Sequence, residues 1–595
     1  MEQPAISDYG FLSDCRSAAL VGRNGSIDWW CPDRFDSPSV FARLLDPDGG
    51  HWRLAPVGTG HRVQRSYQPD TLVLRTVHHT PEGSVAVTDA LAAEQGARAH
   101  QLGMHSPAVL LRVVEGLSGR VRMAVDFRPR PEYGLLTPYL REQDDGSVLA
   151  SAGPVVLVLR CAGLRLRAAE DRVRHSFEVA AGEVVGFDLA YGAAYGDPPV
   201  RMDPVASVGD TVRAWQAFRE SHHYDGRYAE VVRQSATVLT GLTYARSGAV
   251  AAAPTTSLPE KLGGDRNYDY RFSWLRDFAM TMRALWVAAC PDEASRLFAW
   301  AAYSTGRIGD QPVPVLFGLE GERDISEHLC ANLAGYANSR PVRIGNDAWQ
   351  QRQLDVPGEV VSAIWRLRDY LGDQFGAELG EMVLGLTEQV AATWQLPDRG
   401  IWEPRDSERQ YLSSKVLCWV AMDRAVRLAP RLGERADARR WAGIRDEIRA
   451  TVLREGYDER RGAYTGAFGS AELDAAALYL PVVGFLPAND PRMRATIEAI
   501  ERELGAGGGL IRRWADDPAG FLLCSFWLVE CLVLAGERER AERLFAEVAG
   551  HVNDVGLLSE QIDPSTGAHL GNTPQALSHI GLINAAWRLT DPTAD

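Results

Sequence analysis

The sequence predicts a multi-domain protein in which an N-terminal antiparallel β-sandwich is followed by an all-α domain. At 595 residues the chain exceeds what one hydrophobic core normally supports. Apolar and polar residues alternate up to about residue 201, as in 71–77 and 121–127, which is typical of half-buried strands. Beyond residue 243, apolar residues recur at spacings of three and four, which indicates amphipathic helices.

The predicted boundaries are residues 1–203 for the β-sandwich, 204–242 for a helical linker and 243–595 for the helical domain. In the linker, Trp215, Phe218 and Val238 belong to a helical spacing of apolar residues. In the third segment, helices are expected over 273–288, 359–370, 414–428, 436–453, 494–504 and 521–534, with another starting near Ala576. About a dozen helices at this density are compatible with helical hairpins arranged in a ring. Periodicity alone does not show that the ring closes.

Composition excludes several classes of protein. Apolar residues make up 46% of the chain, too many for a disordered protein. The net charge of −15, with both signs interspersed, disfavours nucleic acid and an anionic membrane as partners. The eight cysteines are scattered without close metal-type pairs, so we expect reduced, buried thiols, no metal and no other cofactor. Because no signal-peptide pattern or long apolar run is found, a cytoplasmic location is expected.

The segment 263–277 has the composition of a sugar-binding surface. It places Tyr270, Trp274 and other aromatic residues among alternating arginines and aspartates. Sugar rings present apolar faces for stacking and hydroxyls that need donors and acceptors. Arg276 and Asp277 are expected to grip such hydroxyls, because arginine offers planar donors and aspartate accepts. The structural alternatives are core packing for the aromatics and a helix-dipole interaction for Asp277.

Two distant glutamates have neighbours that suit acid–base chemistry. Glycoside hydrolysis needs a carboxylic acid that protonates the leaving oxygen, and a second carboxylate that activates water or attacks the sugar. Glu403 follows Ile401 and Trp402, and burial beside an aromatic would raise its pKa as a general acid requires. Glu560 lies in a predicted loop that could hold a water. The plainer alternatives are an ion pair of Glu403 with Arg405 and a solvated Glu560.

With these residues, an ordered set of motifs resembles the glucoamylase-type, or family fifteen, glycoside hydrolases, in particular their bacterial branch that includes trehalases. The motifs cover nearly the whole chain, at 8–14, 25–30, 34–38, 268–277, 341–346, 353–359, 400–403, 414–416, 524–528 and 578–584. The resemblance implies an (α/α)6 barrel joined to the β-sandwich, with a pocket at one barrel end for the non-reducing glucose. It also implies cleavage of an α-glucosidic bond with inversion, releasing β-glucose.

By the same resemblance, Glu403 is expected to be the general acid and Glu560 the general base. The expected substrate-binding residues are Tyr270, Trp274, Arg276, Asp277, Asp355, Trp402, Arg513 and His579. An inverting pair of carboxyls would lie roughly 6.5–9.5 Å apart, against about 5 Å in a retaining enzyme.

The sequence therefore predicts an exo-acting glycosidase of small α-glucosides such as trehalose, isomaltose or a short oligosaccharide. Two alternatives stay open, a catalytically silent sugar-binding or scaffold protein and an α-glucoside phosphorylase. The presence of both glutamates favours hydrolysis, since a phosphorylase needs no second carboxylate as base. The sequence leaves open the linkage, the substrate length, any requirement for phosphate or metal, and the oligomeric state; a homo-oligomer is compatible with it.

Overall fold

The computed structural model describes residues 3–97, 101–219, 224–288, 291–306, 312–371 and 376–591. Its N-terminal part consists of antiparallel strands. They are β1 Tyr9–Ser13, β2 Ala18–Gly22, β3 Ser26–Cys31, β4 His51–Pro56, β5 Arg62–Tyr67, β6 Leu74–Thr80, β7 Gly83–Leu91, β8 Val109–Arg128, β9 Tyr139–Glu142, β10 Val148–Ala152, β11 Val155–Cys161, β12 Ala168–Ala169, β13 Arg172–Ala180 and β14 Val184–Ala193.

The long strand β8 joins two sheets into a sandwich. Its first half pairs with β7 and β14, and its second half pairs with β4 and β13. Between the sheets, the ring of Trp52 on β4 lies 6.4 Å from that of Phe187 on β14, in an edge-on contact. The alternation of apolar residues therefore marks an inner face, and the predicted β-sandwich is confirmed.

Helices dominate the rest of the chain. They are α1 Pro204–Arg219, α2 Ala229–Leu242, α3 Leu275–Ala288, α4 Pro291–Thr305, α5 Val356–Leu371, α6 Ala377–Thr393, α7 Leu412–Leu432, α8 Ala438–Glu455, α9 Tyr479–Val482, α10 Pro491–Leu504, α11 Leu522–Leu534, α12 Arg538–Ala549 and α13 Ala576–Thr590. Short 3-10 helices cover Ile6–Asp8, Tyr336–Asn338, Asp347–Gln350, Gly433–Arg435 and Ala475–Leu478. Two- and three-residue strands lie in the loops at β15 Ser273–Trp274, β16 Leu316–Phe317, β17 His328–Leu329, β18 Arg343–Ile344, β19 Tyr457–Asp458, β20 Ala463–Tyr464, β21 Gly505–Gly507, β22 Leu510–Ile511, β23 Gly520–Phe521, β24 Gln561–Ile562 and β25 His569–Leu570.

The helices form a closed double ring, the (α/α)6 barrel. The inner helices contact one another in the order α3, α5, α7, α9, α11, α13 and back to α3. In the outer layer, α2 packs on α13 and α3, α4 packs on α3, and α6 packs on α5 and α7. Further round the ring, α8 packs on α7, and α12 packs on α11 and α13. The helix α10 packs beside the 3-10 turn that leads into α9. Of the two helices in the predicted linker, α1 packs on the sandwich and α2 belongs to the outer layer of the barrel.

Several helices begin where side chains cap the backbone. The Asp490 carboxylate accepts from the backbone N–H groups of Arg492 and Met493, and Pro491 occupies the first turn of α10. The side chain of Gln575 accepts from the N–H of Ser578 at the start of α13. Such caps satisfy donors that a helix start leaves free. They define the starts of α10 and α13.

The cysteines of the described part are free thiols. Cys15, Cys31, Cys330, Cys418, Cys524 and Cys531 are buried and Cys161 is half-buried, whereas Cys290 lies outside the described residues. Within the described ranges, no helix combines the length and the apolar character that crossing a membrane requires.

Candidate active site

A cavity of about 950 Å³ lies at the barrel end where the inner helices begin. This volume is at the upper end of the range typical of small-molecule sites. Among its lining residues are most of the predicted site residues, namely Tyr270, Trp274, Arg276, Asp277, Trp402, Glu403, Arg513 and Glu560. The barrel thus brings together two glutamates that are far apart in sequence.

Glu403 lies in the loop between α6 and α7, in a strained backbone conformation. Its φ is 57°, in the left-handed region that non-glycine residues rarely adopt. Gly400, three residues earlier, has φ 65°. A Cβ at Gly400 would lie 2.7 Å from the Tyr411 ring, so only glycine fits there. The strained turn presents the Glu403 side chain, which is 18% exposed, to the cavity.

The Glu403 carboxylate accepts from strong donors through one oxygen. The indole Nε1 of Trp274 donates to Glu403 Oε1 at 2.8 Å. Both terminal nitrogens of Arg276 lie 3.3 Å from the same oxygen. No hydrogen bond to Glu403 Oε2 is found among the described residues. Oε1 is therefore fixed by the wall, and Oε2 is the oxygen left for a ligand.

Arg276 is held by protein groups on several sides. Its Nη1 donates to the Ile401 carbonyl at 2.9 Å, and its Nε donates to Asp277 Oδ1 at 3.2 Å. Burial raises the pKa of Asp277 to about 6, although the charge of Arg276 opposes this shift. The sequence predicted that this pair would contact sugar hydroxyls. The structure adds that Arg276 also orients Glu403.

Glu560 is buried, whereas Glu403 is partly exposed. It is 3% exposed and lies just before β24. The Tyr270 hydroxyl donates to Glu560 Oε1 at 2.7 Å. Burial, followed by the negative charge of Glu260, raises the pKa of Glu560 to about 8, while Arg513 and the bond from Tyr270 oppose the shift. The sequence did not predict this burial effect at Glu560, which arises because loops from distant parts of the chain enclose that carboxyl.

An aromatic pair joins the two carboxyls. The rings of Tyr270 and Trp274 meet edge-on with their centroids 5.6 Å apart. Because Tyr270 donates to Glu560 and Trp274 donates to Glu403, the two glutamates are held by neighbouring side chains of one wall. Only three residues separate Tyr270 from Trp274, so one short segment fixes both carboxyls.

Gly571 allows the backbone to approach Glu560 closely. Its φ is 73°, and a Cβ there would lie 2.4 Å from Glu560 Oε2. Both facts require glycine at this position. The sequence contains Gly571 in a glycine–asparagine turn, but nothing in that turn indicates contact with a glutamate eleven residues earlier.

Arg513 is a fixed element of the wall rather than a mobile cation. It forms ion pairs with Glu260 and, at 2.8 Å, with Asp517, and its guanidinium lies 4.6 Å from the centre of the Trp514 ring. Trp402 is fixed as well, since its indole donates to Asp474 at 2.8 Å. The sequence analysis did not identify Glu260, which no motif marks and which lines the cavity beside Arg513.

Asp355 and His579 do not line the cavity, which corrects their predicted positions. Asp355 is fully buried at the start of α5, and burial raises its pKa to about 7. His579 is also fully buried, and burial lowers its pKa to about 3, so the ring is neutral. Its Nε2 accepts from the backbone N–H of Leu558 at 3.2 Å, and its Nδ1 lies 3.0 Å from the Ser235 hydroxyl. His579 therefore supports the loop that carries Glu560.

Across the described residues, no cluster of histidine, cysteine, aspartate or glutamate has the arrangement of a metal site. The arrangement at the cavity is suited to acid–base chemistry on a polar, uncharged ligand. It offers two carboxyls with different surroundings, aromatic faces and fixed guanidinium donors.

Comparisons with known proteins agree with this architecture. The profile described as "Glycosyl hydrolases family 15" matches residues 226–539 and 533–587, and the profile "Trehalase-like, N-terminal" matches residues 1–203. The chain is 36% identical to "Trehalase" of Mycolicibacterium smegmatis, over 98% of this chain and 91% of the relative. It is 33% identical to "Trehalase" of Thermoplasma volcanium, over 99% of this chain and 94% of the relative. A crystal structure of a bacterial glucoamylase complexed with acarbose superposes with a TM-score of 0.75 at 13% identity, covering 100% of this chain and 96% of the other, which shows the shared fold.

Proposed function

This chain belongs to family 15 of the glycosyl hydrolases, and we propose that it is an inverting, exo-acting enzyme that removes one glucose from a small α-glucoside, with trehalose as the first candidate. Glycoside hydrolysis follows from the family and from the trehalase relatives. The substrate, the stereochemistry and the residue roles are the proposed parts.

Trehalose is the favoured substrate because the relatives named as trehalases align over almost all of this chain, including the N-terminal sandwich. Isomaltose and short α-gluco-oligosaccharides are the other candidates. The cavity fits a neutral disaccharide, since its volume of about 950 Å³ is ample and its charged groups are largely paired with one another.

The observation that carries the mechanism is that both glutamates line the same cavity, each held through Oε1 by an aromatic donor. Glu403 acts as the general acid, with the transferable proton on Oε2, because Oε1 is taken by Trp274 and Arg276. Glu560 acts as the general base that activates water on the opposite face of the sugar. The Tyr270 hydroxyl donates to Glu560 and so favours its charged, basic form.

The raised pKa of Glu560 supports the opposite assignment, in which Glu560 is the acid and Glu403 the base. A carboxyl whose pKa is raised to about 8 by burial, as at Glu560, has the character of an acid at neutral pH. The motif Gly400–Glu403 and the free Oε2 of Glu403 favour the first assignment. Activity of Glu403→Gln and Glu560→Gln on a substrate whose leaving group needs no proton separates the two assignments.

The first experiment is a screen for released glucose over trehalose, isomaltose, maltose and longer oligomers, in buffer with and without phosphate. We expect the highest kcat/KM on trehalose, and free glucose rather than glucose phosphate in both buffers. For the variants Glu403→Gln and Glu560→Gln, the matched control is Glu408→Gln. Glu408 lies nearby in sequence, is paired with Arg352 and does not line the cavity. Glucose phosphate as product would identify a phosphorylase, and no release from any substrate would identify a silent binding protein.

A further inference from the structure

A second cavity, of about 250 Å³, lies deeper in the barrel along the same inner helices. Its wall is formed by later turns of α3, α5, α11 and α13, and Leu523 borders both cavities. Two helical turns, or roughly 10 Å, separate Arg283 in this wall from Arg276 in the active site. The second cavity is therefore distinct from the one that holds the two glutamates.

Arg366 on α5 brings an unpaired positive charge to this cavity. Among the described residues it has neither a hydrogen-bond partner nor an ion-pair partner, and it is half-buried in the wall of the cavity. Burial, followed by the positive charge of Arg283, lowers the pKa of Arg366 to about 10. An arginine in an enclosed site is usually paired with an anionic group. Arg366 therefore lacks an anionic partner in this cavity.

The acidic groups around the cavity do not supply that charge to Arg366. Glu530 is shared between Arg283 at 3.2 Å and Arg588 at 3.4 Å. Burial, followed by the charge of Asp355, raises the pKa of Glu359 to about 8, which leaves Glu359 neutral at neutral pH. The Tyr479 hydroxyl donates to Glu359 Oε2 at 3.2 Å. Asp591 also lines the cavity, from the residue that follows α13.

A second, independent observation is a buried donor without an acceptor. Arg283 is only 10% exposed, and its Nη2 has no hydrogen-bond partner among the described residues. Attraction of a cation by a helix carboxyl end acts only within the last turn. The helix α5 ends at Leu371 and α3 ends at Ala288. Arg366 and Arg283 each lie more than one turn before these ends. The helix ends therefore do not account for these two guanidinium groups.

We propose that the second cavity binds a small oxyanion between Arg283 and Arg366. The planar guanidinium fork matches the oxygens of such an ion, and the ion would accept from Arg283 Nη2 while supplying the charge that Arg366 lacks. Bound there, it joins α3 to α5 inside the barrel. The inference does not depend on the proposed hydrolysis.

The test is thermal unfolding of the full chain in inorganic phosphate or sulfate, compared with chloride at equal ionic strength. In wild type, a hundredfold excess of anion over its Kd should raise Tm by about 2–4 °C relative to chloride. Arg366→Met should show no anion-dependent rise, and its Tm in chloride should equal or exceed that of wild type, because the substitution removes a half-buried, unpaired charge. Arg454→Met, on the exposed face of α8, is the matched control and should respond like wild type.

Isothermal titration with inorganic phosphate gives a second measurement that does not depend on unfolding. Wild type should bind one phosphate per chain, Arg366→Met none, and Arg366→Lys should bind at least tenfold more weakly, because lysine keeps the charge without the fork. An equal rise of Tm in phosphate and in chloride, or unchanged phosphate binding by Arg366→Met, would overturn the proposal.

Discussion

The loop that carries Glu403 and the loop that carries Glu560 give the same residue type opposite surroundings. Glu403 sits on a strained turn with φ 57° and a side chain that is 18% exposed, and it accepts from an indole and a guanidinium. Glu560 is 3% exposed and accepts from one phenol, with Gly571 packed against it. Burial acts on Glu560, whereas donors and backbone strain act on Glu403.

This contrast teaches that a residue's catalytic role cannot be read from its own neighbours in sequence. Acid–base catalysis requires two titratable groups whose environments differ. Here the difference arises from side chains of other segments, chiefly Tyr270, Trp274 and Glu260.

The largest effect is expected from removing either carboxylate. Glu403→Gln and Glu560→Gln should each lower kcat on trehalose by about a hundredfold or more, since each removes a proton-transfer group. The two variants should separate on α-glucosyl fluoride, whose leaving group needs no proton. Glu403→Gln should retain most of its activity there, whereas Glu560→Gln should not. The reverse pattern would exchange the acid and base assignments.

A smaller effect is expected when Glu560 is displaced without being changed. Gly571→Ala should lower kcat roughly tenfold to a hundredfold, because the new methyl group would meet Glu560 Oε2 and a shift of about 1 Å in a catalytic group is costly. Gly567→Ala is the matched control: Gly567 also has positive φ, 72°, but open space around its Cβ position. Equal losses of activity in both variants would indicate backbone strain instead of contact with Glu560.

The smallest effect is a shift in pH dependence. If Glu560 is the base, it must be ionised, so kcat/KM should rise with pH as this carboxyl loses its proton, near its pKa of about 8 in the free enzyme. Glu260→Gln removes a negative charge that raises this pKa, so the rise should move to lower pH. Tyr270→Phe removes a bond that lowers it, so the rise should move to higher pH. A fall of kcat/KM with pH that follows the same shifts would identify Glu560 as the acid.

Much of the fold was predictable from the sequence. Apolar spacing placed α7 and α11 within a few residues of their observed limits, because those helices present their apolar faces to the barrel core. Alternation found the strands of the sandwich for the corresponding reason. Periodicity carried no information on ring closure, which depends on α13 packing against α3, about 300 residues apart in sequence.

The candidate site was predictable in its members and less so in their arrangement. Most of the expected residues line the cavity, because the motifs that contain them lie at the starts of inner helices or in the adjoining loops. His579 could not be placed from sequence, since its ring is turned toward Ser235 and Leu558 by packing of α13 against α2. Glu260 and Gly571 were missed because their effect on Glu560 exists only after the barrel has closed.

The central claim is that one glutamate delivers water opposite the proton donor. The most direct test follows the anomeric configuration of the first glucose released from α,α-trehalose by NMR, before mutarotation. Inversion converts the attacked glucose to the β-anomer and leaves the departing glucose as the α-anomer. We predict equal amounts of α- and β-glucose at the earliest times. Initial release of α-glucose alone would show retention and contradict the proposed mechanism.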